Sequence, residues 1–378
     1  RHLRHSRGVV SKMSQTKVSN TFIDNNFPFR NIMINGDMNV AQRGTSTTGY
    51  SSTGYVTCDR IKVYNNGHGG AFTITQTADG PGVFGLTKCF KMACTTADTS
   101  TAASEYVFLA TVFETQHLQH LRKGESDAKK LYLSFYAKGD AAVTYVAEVY
   151  DNEHDRVQSQ TFAVTTDWQR FTFEIPADTN GETFDNDNSA GLSIHWWLHG
   201  GSDYTSGTLS GSWANRTNAN RAAGIGSVLA STSRTFFLTG VQLELGGVSD
   251  FEQVPFDVNL QRCRRYLQRV EASGTDYGSF GVGAAANSTS SVGAYHLNPN
   301  MRAVPTLVTT GTASNYTVFN GSTNVDACTS VPAINGGGGT GSQVRLEFIS
   351  SGNLTAGQAV EQLGSNNVAA FLMFNAEL

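Results

Sequence analysis

The sequence predicts an all-β protein: a two-sheet sandwich, a short connector helix and a second, smaller β domain. Three observations carry that expectation. Only 15% of the 378 residues are charged, while 39 are glycine and 7 proline, a balance suited to short strands joined by tight turns. Runs of β-branched and aromatic residues recur at short intervals along most of the chain. One segment alone, Val258–Glu271, carries apolar residues at helical spacing.

The chain opens on a basic stretch, residues 1–28, whose first twelve residues hold four Lys or Arg, two His and no acid. It lacks the apolar core of a secretory signal. It reads as an arm that docks on a partner, or as an extension upstream of an internal start at Met13.

Residues 29–256 are predicted to form the sandwich. Ile32–Asn35 and Met38–Arg43 are expected to be short strands broken by Gly36, followed by Tyr55–Tyr64, Ala71–Thr77, Thr87–Cys94 and Tyr106–Phe113. In Leu131–Ala137 and Thr144–Tyr150 apolar residues dominate both faces, as in the central strands of a sandwich. Arg170–Ile175 alternates cleanly and stops at Pro176, as a half-exposed strand does. Glu114–Leu121 is expected to make one or two helical turns at an end of the sandwich. Leu192–Leu198 and Thr235–Leu245 complete it, with a Gly-, Ser- and Asn-rich loop, residues 200–233, between them.

Residues 257–273 are predicted as the connector helix, with Leu260, Cys263, Leu267 and Val270 on its apolar side. Its arginines, Arg262, Arg264, Arg265 and Arg269, could meet phosphate, but between two β domains they are expected to pair with neighbouring subunits. Residues 274–378 change character: charge nearly vanishes and short strands recur from Tyr277 to Phe374.

A formal charge of −4 gives no general attraction to nucleic acid or anionic membrane. No apolar run approaches the roughly 20 residues that span a bilayer. Five scattered cysteines without a CxxC are expected to be reduced, buried thiols.

Few residue clusters suggest chemistry. Asp178, Asn180, Glu182, Asp185, Asn186, Asp187 and Asn188 offer oxygens to a hard cation, with Asp185 and Asp187 as candidate calcium ligands. The spacing is not an EF-hand loop, and a solvated loop of Asx turns is the favoured reading. Trp196, Trp197 and Trp213 are candidate ligand-binding aromatics, since a pyranose stacks its apolar face on a ring. Adjacent Trp196 and Trp197 point to opposite sides of a strand, so one of them is expected to leave the core or reach another subunit. His195 and His199 would lie roughly 13 Å apart on an extended strand, too far to share a metal. Carboxylate pairs such as Glu148 with Asp151 or Glu174 with Asp178 have no distinguishing feature, and no Gly-x-Ser-x-Gly elbow occurs. Catalysis is therefore not expected.

One set of motifs does resemble a known family. Arg30, Asn31, Asn35, Gly36, Met38, Gln42, Arg43 and Gly44 at the front, Gly240–Glu244 at the back, and Cys263-Arg264-Arg265-Tyr266 beyond are similar to bacteriophage virion proteins described as tail fibres or tail-fibre-like. The likeness covers about 240 residues, and the end, Phe374–Leu378, also resembles the family's terminus; Ile61 departs from it, where the family usually has Trp. The resemblance implies a carbohydrate-binding-module-like jelly roll in the sandwich, in which a structural calcium is possible. It also implies a homotrimer, a place on the tail or capsid surface of a virion, contacts with other virion proteins through the arm, and host attachment through a surface glycan. A capsid decoration or head-fibre protein without a receptor role, or a polysaccharide-degrading tailspike-like enzyme, are the alternatives.

Overall fold

The computed structural model describes residues 30–180, 182–272, 277–321, 325–336 and 339–378. The basic arm, residues 1–28, lies outside the described residues.

Among the described residues the first β unit contains thirteen strands. They are β1 (Ser46–Tyr50), β2 (Gly54–Tyr55), β3 (Lys62–Asn66), β4 (Ala71–Thr77), β5 (Cys89–Thr96), β6 (Tyr106–Glu114) and β7 (Leu131–Gly139). β8 (Val143–Asp151), β9 (Arg156–Val164), β10 (Gln169–Ile175), β11 (Ala190–Gly200), β12 (Ala214–Asn215) and β13 (Thr235–Leu245) follow. All pairings are antiparallel, in a six-stranded sheet ordered β1-β4-β5-β13-β7-β10 and a seven-stranded sheet ordered β12-β9-β8-β11-β6-β3-β2. The order jumps along the sequence and the two sheets face each other across one core, a jelly-roll sandwich. Phe72, Phe90, Phe135, Tyr145, Trp196 and Phe236 fill that core and are at most 1% exposed.

Alternation explains the strands that were legible. In β10 Phe171 and Phe173 pack on the core while Thr172 and Glu174 face water, and β10 is a sheet edge. β8 sends Tyr145, Ala147 and Val149 inward, leaving Val146, Glu148 and Tyr150 for the other face. Glu114–Leu121 becomes two 3-10 turns at the sandwich end.

The opening motif corrects the first strand expectation, because Arg30–Gly44 forms no strand. Its backbone turns at Asn35 and Met38, both at φ near +60°, and its polar groups are met one by one. Asn31 accepts N–H bonds from Met33 and Leu243 and donates to the Val241 carbonyl. Asn35 accepts from Val40 N–H and donates to the carbonyls of Val40 and Asp59. Gly36 lies so close to β13 that a Cβ there would sit 2.1 Å from the Val241 oxygen. The front and back motifs are thus one contact. Gly240, at φ +60° in the β13 bulge, completes it.

The connector helix also needs correction. It spans Phe256–Arg264, and Leu267–Glu271 is a strand, β14. On a strand Leu267 and Val270 point to opposite faces, and β14 pairs with the last strand of the chain.

The second β unit continues with β15 (Ser279–Ala285), β16 (Ser290–His296), β17 (Thr306–Thr309), β18 (Tyr316–Phe319) and β19 (Val325–Ala327). β20 (Ala333–Ile334), β21 (Gln343–Ile349), β22 (Ala359–Gly364) and β23 (Phe371–Asn375) end it. A three-stranded sheet, β14-β23-β17, and a seven-stranded one, β19-β18-β22-β15-β16-β21-β20, enclose Phe280, Tyr316, Phe348 and Phe374. All five cysteines are buried free thiols. No helix among the described residues is long and apolar enough to cross a membrane.

The two units meet at a charged joint. Arg60, 2% exposed, pairs with Glu377 and lies 3.5 Å over the Tyr266 ring. Tyr266 donates to Glu114, which also takes Arg265 through both carboxylate oxygens, at 2.8 and 2.6 Å. Gln42 clasps the Asp59 carboxylate and donates to the Leu267 carbonyl. Burial raises the Asp59 carboxyl to about 6, against the pull of Gln42 and Arg43.

Candidate functional site

The inward residues of the seven-stranded sheet complete the sandwich core, so its outward face is free for another use. Register places Glu148 beside His195 and Val146 beside Trp197. Across β11, Trp197 stands against Phe108, and Phe108 in turn against Tyr64 on β3. The result is a row of rings: Tyr64 stacks on Phe108 with centroids 4.7 Å apart, Phe108 lies 4.7 Å from Trp197, and Tyr106 and Tyr204 close around them.

The loop after β11 roofs one side of this row. Arg221 leans over Trp197 and Tyr150 and grips Glu148 with its Nε and a terminal nitrogen, the shortest contact being 2.6 Å. Burial works to raise the Glu148 carboxyl, but Arg221 and His195 outweigh it and hold it near 2. Burial pushes His195 below its usual range, so the ring is neutral at pH 7. Its two nitrogens bridge Glu148 and Ser193, each at 2.8 Å.

Ser193, His195 and Glu148 thus stand in the order of a hydrolase relay. The serine is enclosed, however. Ser193 is fully buried and also receives a bond from Asn152, while Arg221 neutralises Glu148. The chain of contacts fixes the loop on the sheet. Tyr64, Tyr106, Tyr150 and Tyr204 stay partly exposed around it, next to Asn65, Asn66, Asp155 and Arg216.

The sequence-derived candidates distribute differently. Trp196 and Trp197 are both fully buried, so neither is a contact surface. Trp196 belongs to the inner core, and Trp197 is sealed by Phe108, Arg221 and Tyr204. Trp213 is partly buried, packs on the sandwich core and donates to the Pro176 carbonyl at 2.8 Å.

Asp185 is exposed, and the Asp187 carboxylate accepts Ser189 N–H and Thr115 Oγ, bonds that lower its pKa. Among the described residues no three His, Cys, Asp or Glu side chains converge as a metal cage. Where oxygens do converge, a side-chain ammonium holds them: Lys123 Nζ lies 3.0 Å from Asp151 and 3.7 Å from Asp178, and Asp178 is forked on Arg156.

The arginines near the connector work within the chain. Arg265 takes Glu114, Arg269 donates to the carbonyls of Gln42 and Arg43 and covers Phe371, and Arg262 reaches the carbonyls of Asn31 and Ile32. Arg264 lies in the helix's last turn, its carbonyl accepting Gln268. A bulge between Trp197 and His199 takes His199 out of alternation, toward Glu105 and Ser227.

Sequence reasoning missed Tyr64, Tyr106, Glu148, His195 and Arg221 as a group. The available signal was the single glutamate in the otherwise apolar strand Val143–Tyr150, because a buried carboxylate requires a partner.

No protein-family profile matches the chain, and no curated protein matches it. Among solved structures it is similar to the Family 11 Carbohydrate-Binding Module from Clostridium thermocellum in complex with a beta-1,3-1,4-mixed-linked tetrasaccharide, at 12% identity and a TM-score of 0.25 over 55% of this chain and 98% of that one. It is also similar to TmCBM61 in complex with beta-1,4-galactotriose, at 10% identity and a TM-score of 0.29 over 57% and 99%. A third is the enzymatically active domain of bacteriophage CBA120 tailspike protein 4, at 10% identity and a TM-score of 0.30 over 58% of this chain and 22% of that one. These are likenesses of outline, and no ligand is carried over from them.

Proposed function

We propose that this chain is a virion binding protein of the bacteriophage tail-fibre or receptor-binding type, and that the outward face of its seven-stranded sheet contacts glycan. One observation carries the reading: the sheet's inner side already supplies the core, yet its outer side presents aromatic rings with Tyr64, Tyr106, Tyr150 and Tyr204 left partly open. A sheet face that only met water would show simple polar alternation. Rings take the apolar face of a sugar, and the neighbouring amides, Asp155 and Arg216 suit its hydroxyls.

Placement on a virion is supported by the motif resemblance at Arg30–Gly44, Gly240–Glu244 and Cys263–Tyr266. In that setting the chain works as a homotrimer whose weak single sites are multiplied by copy number. It acts by binding, since the buried Ser193 relay braces a loop.

Adsorption to a purified bacterial surface polysaccharide tests this. The Tyr64→Ala, Tyr106→Ala double variant is expected to lose about tenfold or more in affinity while staying folded by circular dichroism, with a lowered unfolding temperature because both rings pack on Phe108. Reducing sugar released from the same polysaccharide, or unchanged adsorption by the variant, contradicts the reading.

A further inference from the structure

A second site lies away from that face, where the connector helix meets the 3-10 turns at the sandwich end. A cavity of about 530 Å³ opens there, within the roughly 300–1,000 Å³ typical of small-molecule sites. Every charged side chain lining it is basic: Arg30, Arg262 and Arg265, with His117 and His120 at its exposed mouth.

Two of these arginines have a carboxylate behind them. Arg265 is held by Glu114 at 2.8 and 2.6 Å, and Arg30 lies 3.4 Å from Glu244. Arg262 differs, forming no ion pair among the described residues. Its guanidinium donates only to the carbonyls of Asn31 and Ile32, at the long distances of 3.5 and 3.4 Å. Glu252, whose charge reaches it from farther off, accepts the backbone N–H of Asn31. Burial accordingly lowers the Arg262 pKa. A guanidinium carries five donors in a rigid fork that matches carboxylate or phosphate, so donors remain for a bound anion. Ile32 and Leu245 supply an apolar wall beside it.

We propose that this cavity binds a small organic anion of the sugar-phosphate or sugar-acid class, with its charged group forked on Arg262 and its ring against Ile32 and Leu245. The site is independent of the glycan-contacting face and stands or falls separately from it.

Calorimetric titration of the full chain with glucose 6-phosphate, glucuronate, glucose and inorganic phosphate tests the assignment. At least one charged sugar is expected to bind ten times or more tighter than glucose and tighter than inorganic phosphate. Arg262→Gln should weaken that binding about tenfold or more. His120→Glu, on an exposed turn, should weaken it by charge repulsion without moving the unfolding temperature. The proposal is overturned if neither charged sugar binds, if inorganic phosphate binds as tightly as glucose 6-phosphate, or if both variants bind like wild type.

Discussion

Two regions of the molecule bury charge, for different ends. At the joint, Arg60, Glu377, Tyr266, Glu114 and Arg265 tie two β units together, and the motif Arg30–Gly44 supplies the irregular backbone between them. On the outward sheet face, Glu148, His195 and Arg221 tie a loop to a strand and leave a rim of rings exposed. The joint consumes all its partners internally. The face keeps part of its surface for something else.

The largest effect should come from unpairing the joint. Arg60→Ala leaves Glu377 buried beside Arg43 at 3.4 Å and removes the contact with Tyr266, so denaturant unfolding should report a loss of about 3–5 kcal/mol. A loss under about 1 kcal/mol would show that the two units are not held there.

Asn35→Ala should cost less, about 1–3 kcal/mol, because it strands the Val40 N–H and the Asp59 carbonyl inside the motif, while the Val40 carbonyl keeps the Asp59 N–H. The same substitution should leave polysaccharide adsorption unchanged, which separates motif from face.

Acid titration of stability distinguishes the regions by sign. Asp59, raised to about 6 from 3.8, favours the folded state most at low pH, and its contribution is lost as pH rises through about 6. Glu148, lowered to about 2 from 4.5, contributes above 4.5 and loses that contribution as pH falls toward 2. Asp59→Asn should flatten the first slope and Glu148→Gln the second, read from unfolding free energies between pH 2 and 7. Interchanged or absent changes would break the comparison.

The difference in legibility has a physical cause. Irregular backbone leaves amides and carbonyls without a ladder, so each needs its own side chain at a fixed place. Asn31, Asn35, Gly36 and Gln42 therefore cluster in a dense motif that can be recognised, although its residues looked like strands until their turns at Asn35 and Met38 were seen. The face cluster is assembled from positions 64, 106, 148, 195 and 221, brought together by sheet register and a roofing loop. No local spacing records that. Runs of β-branched and aromatic residues gave Ala71–Thr77 and Thr235–Leu245 their bounds, whereas Leu267–Glu271 was lost to a helix because two apolar residues in so short a run set no period of their own.

Hydrogen–deuterium exchange of the full chain, with and without a saturating oligosaccharide selected on a glycan array, shows whether the outward sheet face is the binding surface. New protection is expected in segments containing Tyr64, Tyr106 and Tyr204, with residues 30–44, 256–271 and 371–378 slow to exchange and unchanged. Protection gained in the motif segments, with none on the sheet face, would contradict it.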